Sequence, residues 1–267
     1  MNPKLKKVIP LVLAAIILIG GGVFAFSKIK GDDKQAEETP KKQRLQLPEN
    51  TIPVEERPYL KISPHADGRN ISLEILEVKK AADAVEYELE YQAGSLLQGA
   101  FGEFDLSSLP ATEQILLGSC SAGGACTYHE DVQGGTLRTQ YDGPEPYALK
   151  SRWKYIINSD REPAHSSQDA MFQIESPALA NQSYLIIFNT AGFPEGLTGT
   201  PVSEFYSVTA ANTLTGTADL TIRSQEEGEL TIVGYDGSEW HEFETETDGK
   251  MASASVDLME LYLVIKK

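Results

Sequence analysis

Basic residues are few in this chain: 23 Lys and Arg stand against 39 Asp and Glu, a net charge of −16. Phosphate neutralisation supplies most nucleic-acid affinity, so this balance disfavours a nucleic-acid partner. Cysteine is limited to two residues, Cys120 and Cys126. Neither is near the N-terminus, which excludes lipoprotein processing there. A thiolate metal site at the pair would need two more soft ligands, and only His129 is close. The four histidines (His65, His129, His165, His241) are scattered singly, with no H-x-x-x-H spacing for metal or base chemistry. No P-loop, G-x-G-x-x-G fingerprint or zinc ribbon is present. No cofactor or metal is expected.

What is present begins with an address. Lys4, Lys6 and Lys7 precede an uncharged apolar run from Val8 to Phe26, and Lys28 and Lys30 close it. At about 1.5 Å of helical rise per residue the run covers about 28 Å, close to the hydrocarbon thickness of a bilayer. Residues 1–30 are therefore expected to be a membrane anchor with a transmembrane helix at about 8–26. The rival reading is a signal peptide cleaved near Ala25, after Val23-Phe24, which would release a secreted protein. The flanking lysines nearly tie for orientation. The acidity of everything after residue 30 favours a cytoplasmic N-terminus with the C-terminal domain outside.

Residues 31–57 are polar, charged and proline-bearing, without helical or strand period, and read as a flexible stalk. Beyond Pro58 the period changes to two. Ile71, Leu73 and Ile75 share one face, and Val85, Tyr87, Leu89 and Tyr91 oppose Glu86, Glu88 and Glu90. Further strands are expected at 114–119, 126–130, 135–141, 152–157, 170–175, 184–189, 204–208, 218–223, 230–235, 240–245, 251–256 and 261–265. Asp-Gly pairs at 67–68, 142–143, 236–237 and 248–249, and Gly-Gly at 123–124 and 134–135, supply turns. The chain is thus expected to be mainly β, with two antiparallel immunoglobulin-like β-sandwiches at 58–158 and 165–267. One larger sandwich is the alternative.

The run Glu229-Leu-Thr-Ile-Val-Gly-Tyr-Asp-Gly-Ser-Glu-Trp240, followed by a polar strand, Asp248-Gly249 and the apolar Leu261-Tyr-Leu-Val-Ile265, resembles a YDG-x-x-W module of bacterial surface proteins. There the last apolar strand closes an immunoglobulin-like sandwich, and the resemblance implies a structural or adhesive role. Met259-Glu260 replaces the usual Ser or Thr before the closing strand. The match covers the C-terminal fifty residues or so; residues 58–160 resemble no characterised family.

Cys120 and Cys126 flank a Gly-Gly turn between strand-like segments, which describes a disulfide-bridged hairpin. A redox pair would want C-x-x-C spacing, and reduced thiols are the remaining reading. The acids offer little chemistry. Glu86/Glu88/Glu90 and Glu242/Glu244/Glu246 read as solvated faces, since a glycosidase acid needs a desolvated member. His129, Glu130 and Asp131 alternate faces in a strand, and Asp131, Asp142 and Glu145 lack a calcium-loop pattern. Ser121 sits in G-x-x-S-x-G, one residue out of register for a nucleophile elbow. Trp153, Tyr155, Trp240, Tyr87 and Tyr91 are core candidates before they are sugar platforms.

No catalytic residue is therefore assigned, and the chain is not expected to be an enzyme. The expected function is a binding or structural role at the cell envelope, with protein or glycan partners. Recognition is placed in loops at the sandwich ends: Ser121 and Gly123 in the cysteine hairpin, and Tyr235, Asp236 and Trp240 in the second turn. The alternatives are an envelope enzyme or its accessory subunit, and an assembly factor acting by strand addition at an exposed edge.

Overall fold

A computed structural model describes residues 47–267. The expected helix at 8–26, its orientation, the cleavage site near Ala25 and the stalk up to residue 46 lie outside them. Among the described residues, no helix is long and apolar enough to cross a membrane.

Among the described residues twenty strands follow one another with little helix. The first are β1 (Tyr59–Pro64), β2 (Asn70–Glu77), β3 (Ala84–Ala93), β4 (Leu96–Phe104) and β5 (Ala111–Leu116). Next come the short β6 (Gly118–Cys120) and β7 (Cys126–Tyr128), then the long β8 (Val132–Asp142) and β9 (Tyr147–Ile157). β10 (Ala164–Ser166), β11 (Phe172–Glu175), the one-turn helix α1 (Pro177–Ala180) and β12 (Tyr184–Thr190) lead into β13 (Thr200–Pro201) and β14 (Phe205–Ala210). The chain ends with β15 (Thr217–Arg223), β16 (Leu230–Tyr235), β17 (Trp240–Glu242), β18 (Glu246–Asp248), β19 (Met251–Asp257) and β20 (Leu261–Lys266).

The backbone of the molecule is a 10-stranded sheet in the order β17-β16-β20-β14-β12-β9-β8-β3-β4, with β13 paired to β20. A 3-stranded sheet, β1-β2-β5, and a 5-stranded sheet, β10-β11-β15-β19-β18, cover it. Side-chain parity places these covers on opposite faces. On β12, Ile186 and Phe188 join the core made with β1, β2, β3, β8 and β9, whereas Leu185 and Ile187 join the core under β11, β15 and β19. That is why β12 reads as an unbroken apolar run buried on both sides, while β3 and β9 alternate between apolar and charged residues. Beyond β12, a third apolar cluster joins Leu261, Leu263 and Ile265 of β20 to Tyr59, Phe193 and Phe205.

The mainly β, antiparallel expectation holds. The boundary expected at 158–165 does not part the sheets, because β9 pairs directly with β12 over Ile157↔Tyr184 to Arg152↔Asn189. Residues 47–267 form one compact unit. Residues 47–57, expected to belong to the stalk, belong to that unit instead. Glu49 bridges Ala148, the Asn50 amide Nδ2 and Oδ1 bond Lys150 O and N at 3.0 Å each, and Arg57 donates to Ile52 O and Asn50 O. The Gly134-Gly135 pair lies inside β8 rather than in a turn. Gly134 has φ +93 at a bulge, and a Cβ there would come within 2.3 Å of Trp153 O.

Candidate functional site

Three surfaces compete. The first is the turn after β16. Asp236 Oδ1 accepts from the backbone N–H of Ser238 (2.8 Å) and Glu239 (2.9 Å) and from Ser238 Oγ (2.8 Å), while Oδ2 pairs with His241 Nε2 at 2.8 Å. The Glu239 amide, Ser238 and His241 together hold the Asp236 carboxyl well below the usual carboxylate range. Tyr235 and Trp240 are cross-strand partners with ring centroids 5.2 Å apart. Trp240 donates its indole N–H to Glu195 O at 3.1 Å and packs edge-on against Phe193; Tyr235 meets Tyr59 edge-on. Both aromatics expected to recognise a ligand are therefore half-buried anchors of the turn, leaving Asp236, Gly237, Ser238 and Glu239 as its exposed part. Asp236, Glu239 and His241 bring potential metal-ligating atoms within 4.8 Å of one another. Three groups fall short of the six to eight oxygens calcium takes, and Asp236 is already bonded within the turn.

The second surface is the hairpin β6–β7, where Cys120 and Cys126 are directly opposed and joined by a disulfide, as expected. Ser121 and Gly123 lie exposed at its tip, with Ser121 bonded to Ala125 O and Gly124 through the backbone alone. Arg69 stacks over Tyr128 at its base, 4.1 Å from the ring centroid. Among the described residues no hydrogen bond or ring contact joins this hairpin to the turn at 235–241, so the two sets of recognition residues do not form a common constellation.

Two clefts are polar and open. One, of about 550 Å³, runs between the outer face of β1–β2 and the segments after β14 and β19, spanned by Lys61 Nζ–Glu260 Oε1 at 3.1 Å. The other, of about 500 Å³, gathers Arg57, Lys150, Arg152 and Glu204 around Asp169. Burial raises the Asp169 proton affinity, but bonds from Ser167, the Met171 amide, Asn189 and Tyr206 outweigh it and hold the carboxyl down. Every described carboxylate whose proton affinity clearly shifts is likewise held down: Asp67, Asp105, Glu145, Asp169 and Asp236. A general acid at neutral pH needs the opposite shift. Trp153, Tyr155, Tyr87 and Tyr91 are buried in the core, so they form no sugar platform.

The third surface was not foreseen. β4 is the last strand of the 10-stranded sheet, nine residues long, and among the described residues no strand pairs with its far edge. It carries no charge from Leu96 to Gly102. Leu97 is 67% exposed and Phe101 79%, both on the face that β3 fills with Glu88, Glu90 and Gln92. The other terminal strands β17, β10 and β18 have three residues each, and the terminal β5 carries Glu113 in its middle, whereas the one acid of β4, Glu103, stands next to its end. Short or charged edges are the usual protection against pairing. The glutamates of β3 give no such protection, because β3 lies inside the sheet. Leu96-Leu97-Gln98-Gly99-Ala100-Phe101-Gly102 does not alternate, which hid the strand. The signal was the two-residue Gly94-Ser95 link closed by Ala93↔Leu96, with Gly94 at φ +55.

No protein-family model matches this chain, and no curated protein or solved structure matches it either.

Proposed function

We propose that this chain is a non-enzymatic binding protein of the cell envelope, tethered by residues 1–30, whose β-rich body engages a protein partner by strand addition at β4. The observation that carries this is the nine-residue edge, uncharged over the seven residues from Leu96 to Gly102, with Leu97 and Phe101 exposed on it. An added strand would satisfy the outward N–H and C=O groups of β4, and its alternate side chains would cover Leu97 and Phe101. Main-chain bonds would supply affinity and those two side chains selectivity.

The resemblance of residues 229–265 to adhesive surface modules supports the same class. Catalysis has less support, since no shifted carboxylate is poised as an acid. Glycan or loop-based recognition has less support as well, because Tyr235 and Trp240 are committed to holding their own turn.

The test places a photoreactive phenylalanine analogue at Phe101 in the full chain in its native cells. Ile157, apolar and 46% exposed on β9, is the control. Strand addition expects a discrete protein adduct from position 101 and none from 157. Equal labelling at both positions, or none at 101, would refute it.

A further inference from the structure

We infer that the strand completing β4 is β4 of a second copy of this chain, running antiparallel about a twofold axis through Gly99. This rests on the strand-addition reading and names its partner. The sequence of β4 is self-complementary in this register. Leu97 of one copy faces Phe101 of the other, Phe101 faces Leu97, and Gly99 faces Gly99. On the opposite face Leu96 meets Gly102 and Gln98 meets Ala100. On the Leu97 face both large exposed apolar side chains thus gain an apolar cross-strand neighbour in one continued sheet, while Leu96 is left beside Gly102 on the other.

Neighbouring registers lose this match. An axis through Phe101 sets Gly99 against Glu103 and Leu97 against Asp105. One through Ala100 sets Leu97 against Glu103, and one through Gln98 leaves Phe101 facing Ser95.

Charge points the same way. The chain is strongly acidic, so two copies can approach closely only where charge is absent, and Leu96–Gly102 is such a stretch. Glu103, at the end of β4, faces Ser95 of the other copy in this register, and the nearest acidic row, Glu88 and Glu90, lies one strand inward. Across three strand spacings the two rows would stand roughly 14 Å apart, beyond the ~8 Å Debye length of physiological salt. A single edge contact buries less than the ~800 Å² per partner of a standard interface, so the pairing is reversible. Tethering both copies to one surface raises their effective concentration.

The experiment is cysteine cross-linking of the full chain in its native membranes. Gly99→Cys is sterically permitted, since a Cβ at that position meets only Leu89 O, at 3.5 Å. The native cysteines are already joined to each other. Under mild oxidation Gly99→Cys is expected to give a reducible covalent dimer at several-fold the yield of Gln98→Cys. Leu97→Cys and Phe101→Cys are expected to cross-link when co-expressed but not singly; both sites are exposed, so folding is not at stake. Monomer at all these positions, or equal yield at all of them, overturns self-pairing. If the photoreactive group at Phe101 then labels a different protein, or residues 1–46 of its own chain, self-pairing falls while the edge remains a docking strand. Absence of both dimer and adduct overturns the two together.

Discussion

At the residue scale, single side chains set the turns and the sheet's irregularities. Asp236 organises residues 236–241 by accepting from three groups in the turn besides pairing with His241. Its depressed proton affinity fixes the sign: the carboxylate's contribution is complete above the ordinary value of 3.8 and is lost only as pH falls through the lower folded value. Titrating the Asp236 side-chain carbon by NMR should therefore find no inflection near pH 4, with the turn intact there. A midpoint near 4 would mean the bonds do not form. Gly134 is the second case. At φ +93, with Trp153 O in the way, Gly134→Ala should cost about 2 kcal/mol or more in a denaturant titration, against much less for Gly124→Ala, whose φ is also positive but whose Cβ meets nothing. The Asp-Gly at 236–237 was legible as a turn because the side chain that builds it is local. The Gly-Gly at 134–135 was not, because its cause is the distant backbone of Trp153 and Glu90 pressing on β8.

At the element scale, alternation revealed the strands that bury one face. β3 and β16 appear close to where period and turn residues place them. β4 escaped notice because its inward positions before Phe104 are Gln98, Ala100 and Gly102, small or polar residues that show no apolar period of two. The residues that make it a candidate docking strand are those that make it illegible. Replacing Leu97 and Phe101 with Lys should leave the denaturation midpoint nearly unchanged, within about 0.5 kcal/mol, because neither side chain is buried in the monomer. The same change should abolish adducts at β4. Edge lysines are a common device against strand pairing. Loss of stability without loss of adducts would reverse the assignment.

At the scale of the whole molecule, the two halves share a sheet, with covers on opposite faces of β12. Two sandwiches joined by a linker would unfold in two steps. Here β9 and β12 are hydrogen-bonded neighbours, and Ile186 and Phe188 of β12 complete the core of the first half. Denaturation followed through Trp153, which is buried in that core, and through amide exchange of β15 and β19 should give coincident midpoints. Separate midpoints would restore two independent domains. Composition and period gave the β class and most of the longer strands. They could not give the shared sheet, because a polar stretch at 158–168 reads the same whether it links domains or carries the chain across one sheet.

Strand addition at β4 is tested most directly by amide hydrogen exchange on the full chain in its native membranes, compared with the same chain dispersed in detergent at high dilution. In the membranes, the outward-facing amides between Leu96 and Gly102 should exchange as slowly as those of β3, and dilution should return them to the fast rates of an open edge. Fast exchange at these amides under both conditions would contradict it.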